Sequence, residues 1–348
     1  MPDWNQGWSI SILGSGGGVA NAVLSILNQS VQDPNDPLFP IMSEARLHLV
    51  DMKQKDKTDY DGRFPMLADK IKLYQFNLKN MNRFRKHLKT TETKIVIDVS
   101  WADTINMLRC CNELGVMYVN SALENTDVDE DESLFGFPLA ERYERFEASK
   151  NNFTNTKAVI GSGMNPGVVQ WMAVKLMKEH ADQKPKACYI VEHDDSFFAD
   201  RSVVDPETLY TSWSVECFLD EAVLSYPMFV HHHLPHYYYN EVYAMEFKVT
   251  LGEKQFFGCL MPHEEVYTLG VLFDMQVGFI YRVNDHTTQL IRKHINDVDE
   301  LWKMKQQLID PKMGEVKGED LVGVMLVYDD SEKFMYNVMK SADIYPKY

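Results

Sequence analysis

The first half of the chain alternates short apolar runs with longer stretches of mixed polarity. Ser9–Leu13 reads as a short buried strand and Val19–Asn28 as the helix that follows it. Gln29–Met42 is rich in Pro and Asp, which predicts a loop that lengthens the first crossover. Ala45–Asp51 is a second strand ending in an acid, and Lys72–Leu78 a third. Lys94–Ser100 is nearly all apolar, as strands covered on both faces are. Asp103–Gly115 reads as a helix with Gly115 as its stop signal, and Val116–Ala122 and Lys157–Gly163 as two more strands. Strands alternating with helices predict a mostly parallel α/β sheet of the Rossmann type.

Beyond about residue 165 the pattern changes. A helix over Gly167–Ala181 leads into spaced strand-like pieces: Ala187–His193, Glu241–Gly252, Lys254–Met261 and Gly323–Asp329. This predicts an α+β domain with a mixed or antiparallel sheet, so the expected division is 1–163 and 164–348. A chain of 348 residues has room for about two ordinary domains.

Composition narrows the function classes. The chain is 45% hydrophobic and 25% charged, with a formal net charge of −16. Such a field repels nucleic acid and anionic membranes and attracts cations. The apolar runs are shorter than the roughly 20 residues of a membrane helix, and "MPDWNQGWSI" carries neither the basic nor the apolar region of a leader. Five cysteines without CxxC spacing point to reduced thiols and a cytoplasmic location.

The first candidate for chemistry is "ILGSGGGVANAV", Ile12–Val23. By itself it is either a tight strand-to-helix turn or a nucleotide cradle. Gly14 and Gly16 occupy the first two glycine positions of a dinucleotide fingerprint, and Val19 stands at the third. Asp51, ending the second strand, is placed to accept ribose hydroxyls and to repel a 2′-phosphate, which favours NAD over NADP. A second cluster, "GSGMNPGVV" (Gly161–Val169), opens a helix, with Pro166 expected in its first turn and Asn165 as its cap or as a ligand contact. In "SWSVECFLDEA", Trp213 and Glu221 combine an indole face with a carboxylate, the two groups a cationic amine needs; core packing is the other reading of Trp213. His263 in "MPHEEVY" is either structural or a proton shuttle. "HHHLPH" (His231–His236) lacks the Cys or HExxH partners of a metal site and reads as a surface loop, so no metal is expected.

Taken in order, "IDVSWADTINMLRCCNELGVMYVNSALE", "GSGMNPGVV", "VEHDDS", "YTSWSVECFLDEA" and "MPHEEVYTLG" resemble the homospermidine synthase family of the saccharopine dehydrogenase-like group. The resemblance implies an enzyme that uses NAD as a recycled hydride carrier. A diamine such as putrescine is oxidised to an imine, ammonia leaves, a second amine adds, and the hydride returns. It implies catalytic roles for Trp213, Glu221, His263, Glu192 and Asn165, and substrate contacts from Asp98, Glu124 and Glu265. Cofactor contacts fall to Gly14, Gly16, Gly17, Asp51, Ser100 and Asn165. The sequence departs from the family at Val19, at Ser162 where a His is usual, and at its C-terminus, Tyr348, which comes early. A homodimer or higher oligomer is expected to cover the surface left open. Two other readings stand beside this one: an opine- or carboxyspermidine-type dehydrogenase, and a non-catalytic protein that binds NAD or polyamines.

Overall fold

A computed structural model describes residues 7–344; residues 1–6, part of the stretch read for a leader, and 345–348 lie outside it. The chain forms two compact units, Met1–Glu130 with Arg142–Gly163, and Asp131–Glu141 with Met164–Tyr348. The expected division at 163/164 thus needs one amendment. Asp131–Glu141 packs in the second unit, where the Gly136 N–H donates to Leu224 O at 2.8 Å and Tyr226 N–H donates to Gly136 O at 3.1 Å. Gly136 has φ +88°, and a Cβ there would lie 2.2 Å from the Tyr226 ring, so only glycine allows this seat.

The first unit carries a six-stranded parallel sheet of β1 (Ser9–Leu13), β2 (Arg46–Asp51), β3 (Ile71–Gln75), β4 (Ile95–Asp98), β5 (Met117–Asn120) and β6 (Ala158–Val159). The strand order is β3-β2-β1-β4-β5-β6, a doubly wound arrangement with the order reversing at β1. Ile10 and Ile12 of β1 pack with Leu24 and Leu27 of the helix Gly18–Ser30. Leu13 and Val96 join Phe84, Leu88 and Met107 in a second core. The helix Thr104–Leu114 starts at Asp103, whose carboxylate accepts from Asn106 N–H at 2.7 Å, and stops at left-handed Gly115. The Gln29–Met42 segment is less irregular than its composition predicts. The first helix runs on to Ser30, and Phe39–Met42 forms one more helical turn.

The second unit is built on a mixed eight-stranded sheet. Its chain runs through β7 (Ala187–Asp194), β8 (Phe197–Phe198), β9 (Thr208–Thr211), β10 (Met228–His231), β11 (Leu234–Tyr237), β12 (Phe247–Leu251), β13 (Lys254–Met261) and β14 (Gln276–Arg282), then β15 (Lys305–Leu308), β16 (Val316–Lys317), β17 (Glu319–Val327) and β18 (Glu332–Lys340). β7 lies between β14, to which it is parallel, and β17, to which it is antiparallel. Glu241–Gly252 is a strand only from Phe247, because Val242–Ala244 closes into a short helical turn. "HHHLPH" is part of the β10–β11 hairpin, with His232 and His233 at positive φ in its turn and His232 Nδ1 3.1 Å from Asp274. None of the five cysteines is joined in a disulfide. Among the described residues, no helix is long and apolar enough to cross a membrane.

Candidate active site

In the first unit the glycine loop joins β1 to the helix Gly18–Ser30. Gly14 takes φ +74°, and a Cβ on it would lie 2.6 Å from Val99 O and 3.0 Å from Ser100 Cα. The loop therefore packs directly on the end of β4, beside Ser100. The helix start has no side-chain cap, which leaves first-turn N–H groups to an external acceptor. Gly17 occupies the N-cap position, and Val19 faces outward, 56% exposed. Asp51 reaches the loop despite the long crossover: its Oδ2 accepts from Gly16 N–H at 2.9 Å and its Oδ1 from Lys53 N–H at 2.9 Å. Loop, helix start and acid thus adjoin at one end of β1 and β2.

Two residues expected at the substrate, Asp98 and Glu124, lie in this first unit. Asp98, 2% exposed, accepts from Tyr118 Oη–H at 2.8 Å and from the N–H and Oγ–H of Ser100 at 3.0 and 2.6 Å. Its carboxyl is consumed as an internal strut, and burial raises its pKa against those hydrogen bonds. Ser100 is tied to the same strut. Glu124 is half-buried, its N–H donating to Thr104 Oγ1 at 3.0 Å.

The second unit gathers the remaining candidates. Asn165 does not cap a helix. The helix Val168–Glu179 is capped at Gly167, whose N–H donates to Gln170 Oε1, and the Asn165 amide donates instead to Glu192 on β7. His263, at the start of the helix Glu264–Leu272, stands between two carboxyls. Its Nδ1 bonds Glu265, which is fully buried, and its Nε2 lies 3.7 Å from Glu221. Burial would push the His263 imidazolium down, but Glu265 and Glu221 outweigh it and lift its pKa to about 10. Burial pushes Glu221 up to about 8, against the pull of His263. Trp213, half-buried, donates its indole N–H to Tyr281 Oη at 3.1 Å and stands edge-on to the rings of Phe218 and Tyr281.

Three participants lie outside the sequence-based assignment. Asp194 alternates with Glu192 along β7 and so shares its face of the sheet, a period-two signal that "VEHDDS" already contained. Asp320 had no such signal, since only the pairing of β17 with β7 sets it directly opposite Asp194. Tyr281 pairs with Glu192 from β14. Like charges directly opposite destabilise a sheet, and burial together with its acidic neighbours holds Glu192 well above the usual carboxylate range. Among the described residues, none of Glu192, Asp194, Asp320, Glu221 and Glu265 makes an ion pair with Lys or Arg. Buried oxygens of Asp320, Glu221 and Glu265 have no hydrogen-bond partner. The cluster can hold protons or receive a cation.

No protein-family model and no curated protein matches the chain. Solved structures do. Apo saccharopine dehydrogenase (L-Glu forming) from Saccharomyces cerevisiae is similar with TM-score 0.56 and 11% identity, over 96% of this chain and 85% of that one. Weaker likenesses include GenD2 from gentamicin A biosynthesis in complex with NAD (TM-score 0.43, 9% identity, 96% and 74% covered). Another is myo-inositol dehydrogenase from Lactobacillus casei with NAD(H) and myo-inositol (TM-score 0.40, 11% identity, 95% and 75% covered). The first of these defines the class: the chain has a saccharopine-dehydrogenase-like fold.

Proposed function

We propose that the chain is an NAD-dependent oxidoreductase of the homospermidine synthase type, acting on a cationic amine. The observation that carries this reading is the carboxyl cluster around His263 and Trp213, which has no Lys or Arg partner among the described residues. Burial holds Glu221 and Glu192 toward their protonated forms, and an arriving ammonium ion lets such a carboxyl ionise beside it. A diamine brings two. An opine-type substrate carries a carboxylate, which this lining would repel.

The glycine loop fits the cofactor. Gly14 and Gly16 allow close backbone approach, the uncapped helix start offers N–H groups to a pyrophosphate, and Asp51 stands where ribose hydroxyls would be held. NAD, when bound, supplies the acceptor for a hydride and later returns it. In the proposed reaction a hydride leaves the amine-bearing carbon and a proton leaves its nitrogen, giving an imine. A second amine adds, ammonia departs, and the hydride comes back, so no net oxidation occurs.

The chain's own residues then have distinct tasks. The Trp213 face stabilises the positive charge that grows on the amine carbon, with its indole fixed by Tyr281. Near neutral pH the free cluster holds His263 charged and Glu221 protonated, given values of about 10 and 8. An ammonium ion beside Glu221 favours its ionised form, and the carboxylate then accepts the substrate proton. Incubation with NAD⁺ and putrescine, read by mass spectrometry, tests the proposal: homospermidine and ammonia should form without net NADH. Consumption of NADH with a keto acid would favour the opine-type alternative. NAD binding with no product from either mixture would favour a non-catalytic binding protein.

A further inference from the structure

A second feature belongs to the first unit alone and plays no part in the proposed reaction. Along the open edge of the parallel sheet, β3 and the helix Met81–Thr90 enclose a groove of about 490 Å³, lined by Tyr74, Gln75, Asn80, Arg83, Lys86 and His87 among others. No Asp or Glu lines it. Arg83 and Lys86 are three residues apart on that helix and so neighbours on its surface. Neither makes an ion pair among the described residues, in a chain whose net charge is −16. Elsewhere on the same helix Arg85 is neutralised by Glu113.

The arginine is also held in place. Its guanidinium lies over the Phe76 ring, 5.3 Å from the centroid, and one Nη2–H donates to Gln75 O at 2.9 Å. That leaves most of its five N–H donors for a ligand. The amides of Asn80, Asn82 and Gln75 add neutral polar groups to the lining. The floor is His87, 5% exposed, with its Nε2 3.0 Å from Ser11 Oγ. Two adjacent cations without a counter-charge repel each other, and an oxyanion placed between them replaces that repulsion with charge-assisted hydrogen bonds.

We propose that this groove binds a small multiply charged oxyanion, a phosphate- or polycarboxylate-bearing metabolite gripped by Arg83 and Lys86. The groove lies on the sheet face opposite the helix Gly18–Ser30, with Gln75 on its rim paired to Asp51 of β2. β1 turns Ile10 and Ile12 toward the helix Gly18–Ser30, whereas Ser11 bonds His87 on the other face of the sheet. Burial, with His48 adding to it, holds His87 down at about 4, so the ring is neutral near pH 7 and its resonances report an anion arriving above it.

Calorimetric titration of the protein, with and without NAD, with inorganic phosphate and, separately, citrate tests the proposal and distinguishes the two anion classes. At least one should bind, shift the His87 ring signals in NMR, and lose about tenfold or more in affinity in the Arg83→Gln/Lys86→Gln variant. NAD affinity should stay the same in that variant, since both side chains lie off the glycine loop. Absence of binding by either anion, or binding unaffected by the double substitution, would overturn the proposal. A separate titration with NAD alone reports on the cofactor assignment, so the two readings fail independently.

Discussion

The Glu265→Gln substitution probes the buried His263 pair most directly. Glu265 is fully buried and bonded to His263 Nδ1, and the replacement keeps its shape while removing its charge. His263 is lifted from the ordinary histidine value to about 10 in the folded chain. A raised folded-state value means that the contribution to stability is complete below about pH 6.5 and is lost as pH climbs toward the folded value. At pH 7 that contribution amounts to about 4 kcal/mol, which agrees with the 3–5 kcal/mol or so for breaking a buried ion pair. Without Glu265, burial works against the remaining carboxyls of Glu221 and Glu264, and most of the lift disappears. Glu221 adds a slope of the same sign: with its carboxyl raised to about 8, folding holds an extra proton over the range below that pH. Wild-type stability should therefore fall with rising pH from weakly acid conditions upward. Urea unfolding of both proteins between pH 6 and 10 (about one pH unit apart) should show a gap near 4 kcal/mol at neutral pH that closes toward pH 10. In parallel, the wild-type His263 imidazolium signal should persist well above pH 7 in NMR. A ring that titrates at an ordinary histidine value, or a stability gap that stays constant across this range, would refute the reasoning.

Two further outcomes follow from the site geometry. Gly14→Ala forces a Cβ to 2.6 Å from Val99 O at a φ of +74°, so it should cost about 1–3 kcal/mol in thermal stability and weaken NAD binding, while amine binding is unchanged. Putrescine binding at pH 7 should release close to one proton as Glu221 ionises, measured by calorimetry in buffers of different ionisation enthalpy; Glu221→Gln should abolish the release, and equal release from both proteins would contradict the role assigned to Glu221.

The order of the first unit was legible because its signals are local. A run such as Lys94–Ser100, apolar on both faces, and a stop such as Gly115 state their conformation within a few residues. Asp51 could be read for the same reason: it ends a strand whose partner precedes the glycine loop, and parallel pairing of β1 with β2 brings the two together whatever the crossover length. The enclosure of Asp98 by Tyr118 and Ser100 was not legible, because its motif context says nothing of either residue. Of the two readings of Asn165, a helix cap or a ligand contact, the cap falls to Gly167, and the Asn165 amide turns to Glu192.

Sequence alone determined the strand–helix alternation of the first unit, the glycine turn with its acid, and the residue types suited to a cation. Those depend on periodicity and on backbone preferences of single residues. Tertiary structure alone decided which acids meet. Asp320 opposes Asp194 only through the β7–β17 register, and Tyr281 meets Glu192 only because β14 lies beside β7. Long-range pairing also brings Glu221 and Glu265 to opposite sides of one imidazole. Charge state follows from that gathering, since burial and neighbouring carboxyls, neither visible in a linear sequence, set where each proton resides.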